Sequence, residues 1–487
     1  MKLTYQVEDR PKLGQTLIFS LQQLLAIMTA TLVVPIIINN NVPGCALTPA
    51  AALFGAGIGT FVYLLFTKFR SPVFLGSSFA FIGSMTTAAA GAASMALGYL
   101  GLILGAVFAG GVYALIALAV KFAGVNWLHK LMPSVVIGPT VTIIGLSLAG
   151  NAVGDLMKGS VTSPQVVQEI ADGKIVDKLV QTPVASPLIA ILCGVIALFV
   201  TMLCSTYGKK MLKLIPFIIG ILTGYAVAAI FTVIGNAAGA DALKILDFSQ
   251  ISALWKEGVS LSTFVNKDIG FVFLKSIDGL KELNGSYILT VAVAYVPVAF
   301  VVFAEHIADH TNISSIIERD LLVNPGLSRT LLGDGIGSMA GAFFGACPNT
   351  TYGESVACVA ISGNASIVSI VGAAALAIVV SFFAPFVAFV NSIPSCVMGG
   401  ICMALYGFIA VSGLKMIRDV DLGENHNLFV VSTILIAGIG GLTLNFGDVT
   451  ITPIAVALIL GILANVILNH KREKSETMAK SGSKGKK

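Results

Sequence analysis

Long apolar runs alternate with short polar breaks along the chain from Thr16 to Leu468. About 20 apolar residues, rising about 1.5 Å each, cross a bilayer core of roughly 30 Å. A window of about 19 residues reads about fourteen such segments. Seven lie near 15–40, 47–67, 74–90, 97–121, 132–152, 187–205 and 212–235. Seven more follow near 287–309, 331–346, 351–363, 366–390, 395–414, 427–446 and 449–469. Two longer polar stretches, 153–185 and 236–286, interrupt the series. The Lys/Ser/Gly-rich tail 470–487 is expected to be disordered. The pattern predicts an all-α integral membrane protein.

Composition sharpens this reading. Of 487 residues, 56% are hydrophobic and 11% charged, against about 25% charged in a soluble domain. The first run carries Gln22 and Gln23, exceeds a signal-peptide core of about 7–15 residues and lacks a small-x-small site, so it is expected to stay as a span. Seven cysteines without a CxxC pair read as small packing residues, and neither a metal nor a cofactor is expected. The 51 glycines suit close helix approach in a membrane. Both long breaks mix acids and bases, so no nucleic-acid partner is expected.

Charge placement sets the topology. With a cytoplasmic N-terminus, the breaks after even-numbered segments should carry Lys and Arg. They hold Lys68 and Arg70, Lys121 and Lys130, Lys209, Lys210 and Lys213, Arg319 and Arg329, and Lys415 and Arg418. The odd-numbered breaks hold no base, or bases balanced by acids. Both termini are therefore expected in the cytoplasm and the protein in the plasma membrane. A faint repeat agrees. Pro72-x-x-x-Gly76-Ser77-Ser78-Phe79-Ala80 opens segment three, and Pro348-x-x-x-x-Gly353-Glu354-Ser355-Val356-Ala357 opens segment ten. Short Pro/Gly-interrupted segments at matching places in two halves point to a secondary transporter's binding site. Seven segments separate them, so the two halves run in opposite directions.

Several ionisable residues fall within the apolar runs. One acid at a helix centre costs about 2.5–3.5 kcal/mol, so Glu305, Asp309, Asp334 and Glu354 would cost on the order of 10 kcal/mol facing lipid. They should face one another or a shared polar cavity. Glu305 and Asp309 share a helix face, and His306 and His310 share the next. Glu354 follows Gly353, where a short helix would begin and offer unpaired N–H groups and its positive dipole end. Carboxylates beside backbone donors suit a flat amide-like ligand. A carboxylate screened from water also takes up a proton more readily, which makes Glu305, Asp309 and Glu354 candidates for proton coupling. Blander readings stand beside these. Glu305 or Asp309 could cap segment eight, Asp334 could be an N-cap in Gly333-Asp334-Gly335, and Gln22 and Gln23 could be interhelical hydrogen-bonders. His306-x-x-x-His310 has metal-ligand spacing but no third partner nearby.

With these residues in view, the chain resembles the nucleobase–ascorbate transporter family, specifically its bacterial uracil and xanthine permeases. The resemblance runs from about Pro11 to Leu468. Its most specific piece is Pro348-Asn-Thr-Thr-Tyr-Gly-Glu-Ser-Val-Ala-Cys-Val-Ala-Ile-Ser-Gly363. Ser20-Leu-Gln-Gln-Leu-Leu-Ala26, Leu75-Gly-Ser-Ser-Phe-Ala-Phe81, Ala304-Glu-His306 and Leu405-Tyr-Gly-Phe-Ile-Ala-Val-Ser-Gly413 support it. The resemblance implies fourteen segments in two inverted sevens, with short strands before half-helices three and ten. It implies a core domain (15–121 and 287–390) that moves as an elevator against a gate domain (132–235 and 395–469), often in a homodimer. Matching positions imply that Glu305 and Glu354 bind the base, and that backbone groups of Phe79 and Gly353 reach its carbonyls. Ala30, Tyr352 and Tyr406 would line the pocket, with Gln22, Gln23, Asp334 and Ser355 as supporting polar residues. Protons are the usual coupling ion in bacterial members, with sodium left open.

The departures bear on cargo. Gln22-Gln23 stands where the family usually has Gln-His, Ser355 where it has Asn, and Ala357 where it has Gly. Asp309 matches purine carriers, whereas Glu354 matches uracil carriers. Glu354 is expected to touch the base, which favours uracil over xanthine or urate. An anion exchanger of the same architecture is disfavoured because the expected pocket is acidic and holds no Arg or Lys. A membrane enzyme would have to rest on the His306/His310 pair.

Overall fold

The computed structural model describes residues 3–124, 133–171, 174–209, 211–256, 258–418, 420–446 and 449–484. Lys130 and Lys210 of the charge pattern, and 485–487 of the tail, lie outside these residues. The first half runs α1 (Leu13–Asn41), α2 (Pro49–Phe66), β1 (Leu75–Ser77), a 3-10 turn (Phe79–Phe81) leading into α3 (Ile82–Ala90), and α4 (Met95–Ala123). Next come α5 (Ser134–Ser147), α6 (Ala149–Leu156), β2 (Thr162–Ala171), β3 (Lys174–Pro183), α7 (Pro187–Tyr207) and α8 (Pro216–Ala238). The second half runs α9 (Gly285–Ile317), α10 (Leu327–Gly345), β4 (Asn349–Thr351), α11 (Gly353–Ser362), α12 (Ile367–Ser381) and α13 (Ala384–Ser392). It ends with α14 (Ser395–Met416), α15 (Asn425–Ile439), β5 (Leu444–Phe446), β6 (Val449–Ile451) and α16 (Pro453–Lys484). Among the described residues, eight helices are long and apolar enough to cross a bilayer, and five shorter apolar helices accompany them. The chain is an all-α, multi-pass membrane protein.

Local chemistry starts these helices. Thr48, Ser94 and Asn284 cap α2, α4 and α9 by accepting the N–H groups of Ala51, Leu97 and Tyr287 at 3.1, 3.2 and 2.9 Å. Two groups of helices result. In one, α2 packs against α10 and α12, α4 against α9 and α10, and α1 against α11 and α12. In the other, α14 packs against α5, α6 and α7, α7 against α8, and α15 against α5 and α16. Fewer contacts join the groups, chiefly from α9 and α1.

Within the first group, an irregular passage is buried against α1, α2, α9 and α10. β1 pairs antiparallel with β4, with Leu75 opposite Thr351 and Ser77 opposite Asn349. All six residues are buried. Ser78 N–H continues the pairing by donating to the Pro348 carbonyl at 2.8 Å. Non-helical backbone is tolerated at membrane depth only where protein or a water-filled cavity surrounds it, and here each strand satisfies the other.

The structure revises several sequence boundaries. The segment near 366–390 breaks at Phe382–Phe383, because Pro385 cannot continue the helix and Asn266 N–H binds the Phe382 carbonyl at 2.7 Å. The segment near 427–446 stops at Ile439 and gives way to β5 and β6. The stretch 153–185 contains the β2–β3 hairpin. The stretch 236–286 docks through Phe271, which meets Phe54 and Phe344 edge-on at 4.9 and 5.5 Å. The backbone of α16 runs helical through Lys484, into the stretch expected as a tail; Lys, Arg, Glu, Met and Ala there are good helix formers.

The α2–α10 contact depends on glycine. A Cβ at Gly337 would lie 2.6 Å from the Gly59 carbonyl oxygen, whereas one at Gly111 meets nothing within 4 Å. Gly337→Ala is expected to destabilise the protein by about 1–3 kcal/mol, lowering the melting temperature in detergent, while Gly111→Ala leaves it unchanged. Equal melting of Gly337→Ala and wild type would contradict the tight contact.

Candidate functional site

The strand pair lets two helices begin in the interior and point their N-termini at one space. α3 follows β1 through Phe79, and α11 follows β4 through Tyr352. A cavity of about 420 Å³ opens between these starts, α9 and α14, within the roughly 300–1,000 Å³ usual for small-molecule sites. Glu305, Asp309, Phe79, Tyr352, Gly353 and Glu354 all line it. Val141, Phe217 and Leu405 supply apolar walls from the second helix group.

Each polar group is positioned by a named element. Glu305 and Asp309 stand one turn apart within α9, which continues to Ile317, so neither caps that helix. Thr351 of β4 donates its hydroxyl to Asp309 Oδ2 at 2.8 Å. A Cβ at Gly353 would lie 3.7 Å from Asp309 Oδ1, which puts that carboxylate beside the first turn of α11. Glu354 sits in the same turn. Tyr352 donates its hydroxyl to the Ser77 carbonyl, tying the end of β4 to β1. The expectation of no Arg or Lys around the pocket is corrected by Lys213, which lines the cavity and is exposed.

The remaining expected residues lie behind the wall. Tyr406 is buried and meets the Phe79 ring edge-on at 6.0 Å, and Ala30 is buried outside the lining. Gln23 donates to the Ser355 side chain and, at 3.2 Å, to the Ser355 carbonyl. Ser355 Oγ also accepts the Phe74 N–H at 3.0 Å, so Gln23 and Ser355 brace α1, the entry to β1 and α11. Gln22 is buried beside them on α1. Asp334 lies inside α10, not at its start, which excludes the N-cap reading. Its Oδ2 is 2.7 Å from His306 Nδ1, and His306 Nε2 is 3.0 Å from Thr330 Oγ1. His310 Nδ1 donates to the His306 carbonyl at 2.8 Å and its Nε2 lies 2.7 Å from the Tyr63 hydroxyl. These bonds occupy the ring nitrogens of both histidines. Sequence reading missed Thr351, Thr330 and Tyr63, because a Thr or Tyr inside an apolar run carries no spacing signal until its partner is known.

Comparison with known proteins follows the geometry. Residues 14–446 match the family described as Permease family (Xan_ur_permease). The chain is 36% identical over 482 residues to the uracil permease of Bacillus caldolyticus, covering 98% of this chain and 97% of that one. It is 34% identical over 464 residues to the uracil permease of Escherichia coli (strain K12), covering 95% and 93%. Two solved structures share the fold at low identity. The transmembrane domain of a cyanobacterium bicarbonate transporter, BicA, superposes with TM-score 0.55 at 14% identity, over 95% of this chain and all of that one. Murine Slc26a9, an anion transporter in the inward-facing state, gives TM-score 0.57 at 12% identity, over 96% of this chain and 70% of that one.

Ser355→Ala would strand the Phe74 N–H in a buried setting and remove one of the two acceptors of the Gln23 amide, at about 1–3 kcal/mol. A lowered melting temperature is expected, and one equal to wild type would show that the brace does not stabilise α11.

Proposed function

The chain belongs to the nucleobase–ascorbate transporter family, and from that premise we propose that it imports uracil together with a proton. The observation that carries this reading is the cavity where Glu305, Asp309 and Glu354 meet the N-terminus of α11. A pyrimidine dione presents ring N–H donors and carbonyl acceptors in one plane. Glu305 and Glu354 would take the N–H groups, and the backbone N–H groups of Gly353 and Phe79 would take the carbonyls. Tyr352 would lie along the ring, and Tyr406 would support Phe79 from behind. Three carboxyl groups around one cavity leave negative charge that a co-transported proton can neutralise, and Asp309 reaches from α9 to the start of α11. The identities to uracil permeases support uracil over xanthine or urate.

A transport cycle fits the same frame. The eight long helices, five shorter ones and α10 together support fourteen spans in two inverted sevens. The antiparallel β1–β4 pair is what an inverted repeat would produce at its pseudo-twofold axis. The two helix groups correspond to a core (α1–α4 with α9–α12) and a gate (α5–α8 with α14–α16), and the core would carry the site past the gate as an elevator. Both termini would lie in the cytoplasm. The exposed lining residues Lys213 and Asn312 stand at ends assigned there, so the cavity is open inward. A homodimer would brace the gate while the core moves. An anion cargo is disfavoured, because among the described residues the only cation of the lining is Lys213, which is exposed.

Uptake of labelled uracil into cells lacking their own uracil carriers tests the reading. Expression should confer uptake that excess xanthine does not compete. Glu305→Gln and Glu354→Gln should each lower initial uptake about tenfold or more at equal membrane abundance, as expected for lost charge-assisted hydrogen bonds. Asp309→Asn should flatten the dependence of uptake on external pH. Xanthine uptake without uracil uptake would overturn the cargo, and normal uptake by either Gln variant would remove that residue from the site.

A further inference from the structure

The short helix that carries Glu354 is held at its far end by a segment that none of the reading above uses. Residues 3–9 lie as a strap along the junction of α11 and α12, with a turn at Val7 and Glu8. Thr4 and Tyr5 N–H groups donate to the Gly363 carbonyl at 2.8 and 3.2 Å. Ala365 and Ile367 N–H groups return bonds to the Tyr5 and Val7 carbonyls at 2.9 and 3.0 Å. The Ser366 hydroxyl adds a bond to the Asp9 carbonyl at 2.6 Å. Leu3 and Val7 are buried among Val356 and Val359 of α11 and Ile313 and Ile317 of α9. The strap thus seats itself under both helices that carry the carboxyl groups of the cavity.

An ion pair closes the strap. Glu8 accepts a hydrogen bond from Arg319, two residues beyond the end of α9. Both side chains are exposed, and Arg319 holds the Glu8 carboxyl below its ordinary range. The clasp is therefore charged at neutral pH and is lost only on acidification through that lowered value.

A ten-residue helix is marginal by itself and takes its position from what it touches. α11 is fixed at its N-terminus by β4 and the Gln23–Ser355 brace, and at its C-terminus by Gly363 and the strap. We propose that Glu8 and Arg319 are positioning residues: their clasp holds the N-terminal strap against α11 and α9 and so sets the placement of Glu354 relative to Glu305 for substrate binding. The inference rests on the uracil-carrier reading, which supplies the ligand for one of its two readouts.

Charge reversal tests it in the full-length protein. Glu8→Arg and Arg319→Glu should each raise the KM for uracil about two- to fivefold, the range of an exposed ion pair, with maximal rate and membrane abundance maintained. The double swap, Glu8→Arg with Arg319→Glu, should restore KM. Hydrogen exchange of the α11 amides, measured without substrate, should quicken in each single variant and recover in the swap. Faster exchange with no uracil transport by wild type would uphold the clasp and fail the cargo. Wild-type uracil transport with unchanged KM and unchanged exchange in both single variants would overturn the proposal, as would a swap that restores neither.

Discussion

A peptide N–H or C=O left unpaired inside a bilayer costs several kcal/mol, and the structure is organised around one place where the chain breaks its helices at depth without that cost. β1 and β4, three residues each, pair with one another and are tied to α2 through Leu75–Thr60 and Asn349–Gly55 hydrogen bonds. Because they satisfy each other, α3 and α11 can start in the interior, with free N–H groups and positive dipole ends directed at a common space. Tyr352, bonded to the Ser77 carbonyl, and Ser355, bonded to Gln23 and the Phe74 N–H, lock this arrangement from two sides. The small residues of α2 and α10 bring their backbones close enough to enclose it.

The acids follow from that geometry. Glu305, Asp309 and Glu354 would be costly facing lipid, but they face a cavity, and Asp309 has the Thr351 hydroxyl as a partner. Asp334 belongs to a different setting. It is paired with His306 in the buried interior between α9 and α10, where removing one partner would leave the other without its ion-pair partner. Carboxylates on neighbouring helices thus divide into an open set available to a ligand and a closed pair that packs the helices.

The acids and the helix start at the cavity were legible in the sequence because their signals are local. An acid inside an apolar run, Pro and Gly before a short run, and a helix start beside Glu354 each need only a few neighbouring residues to be recognised. What could not be read depended on contacts between distant positions. Lys213 was assigned to a solvent-facing break, yet the chain folds it into the cavity lining. Asp334 looked like a cap because Gly333 and Gly335 flank it, while its helix begins at Leu327. The β2–β3 hairpin had a local signal, Asp172-Gly173 flanked by β-branched residues, that the prevailing helical pattern obscured. The break at Phe382 follows from Pro385, but its partner Asn266 lies more than a hundred residues away.

The central claim is that this acid-lined cavity couples nucleobase movement to proton movement. Purified protein in sodium-free proteoliposomes, given labelled uracil and an inward-directed proton gradient, tests it most directly. The account expects uracil to accumulate above its external concentration and to leave again when a protonophore collapses the gradient. Uracil that only equilibrates, indifferent to the gradient, would contradict it.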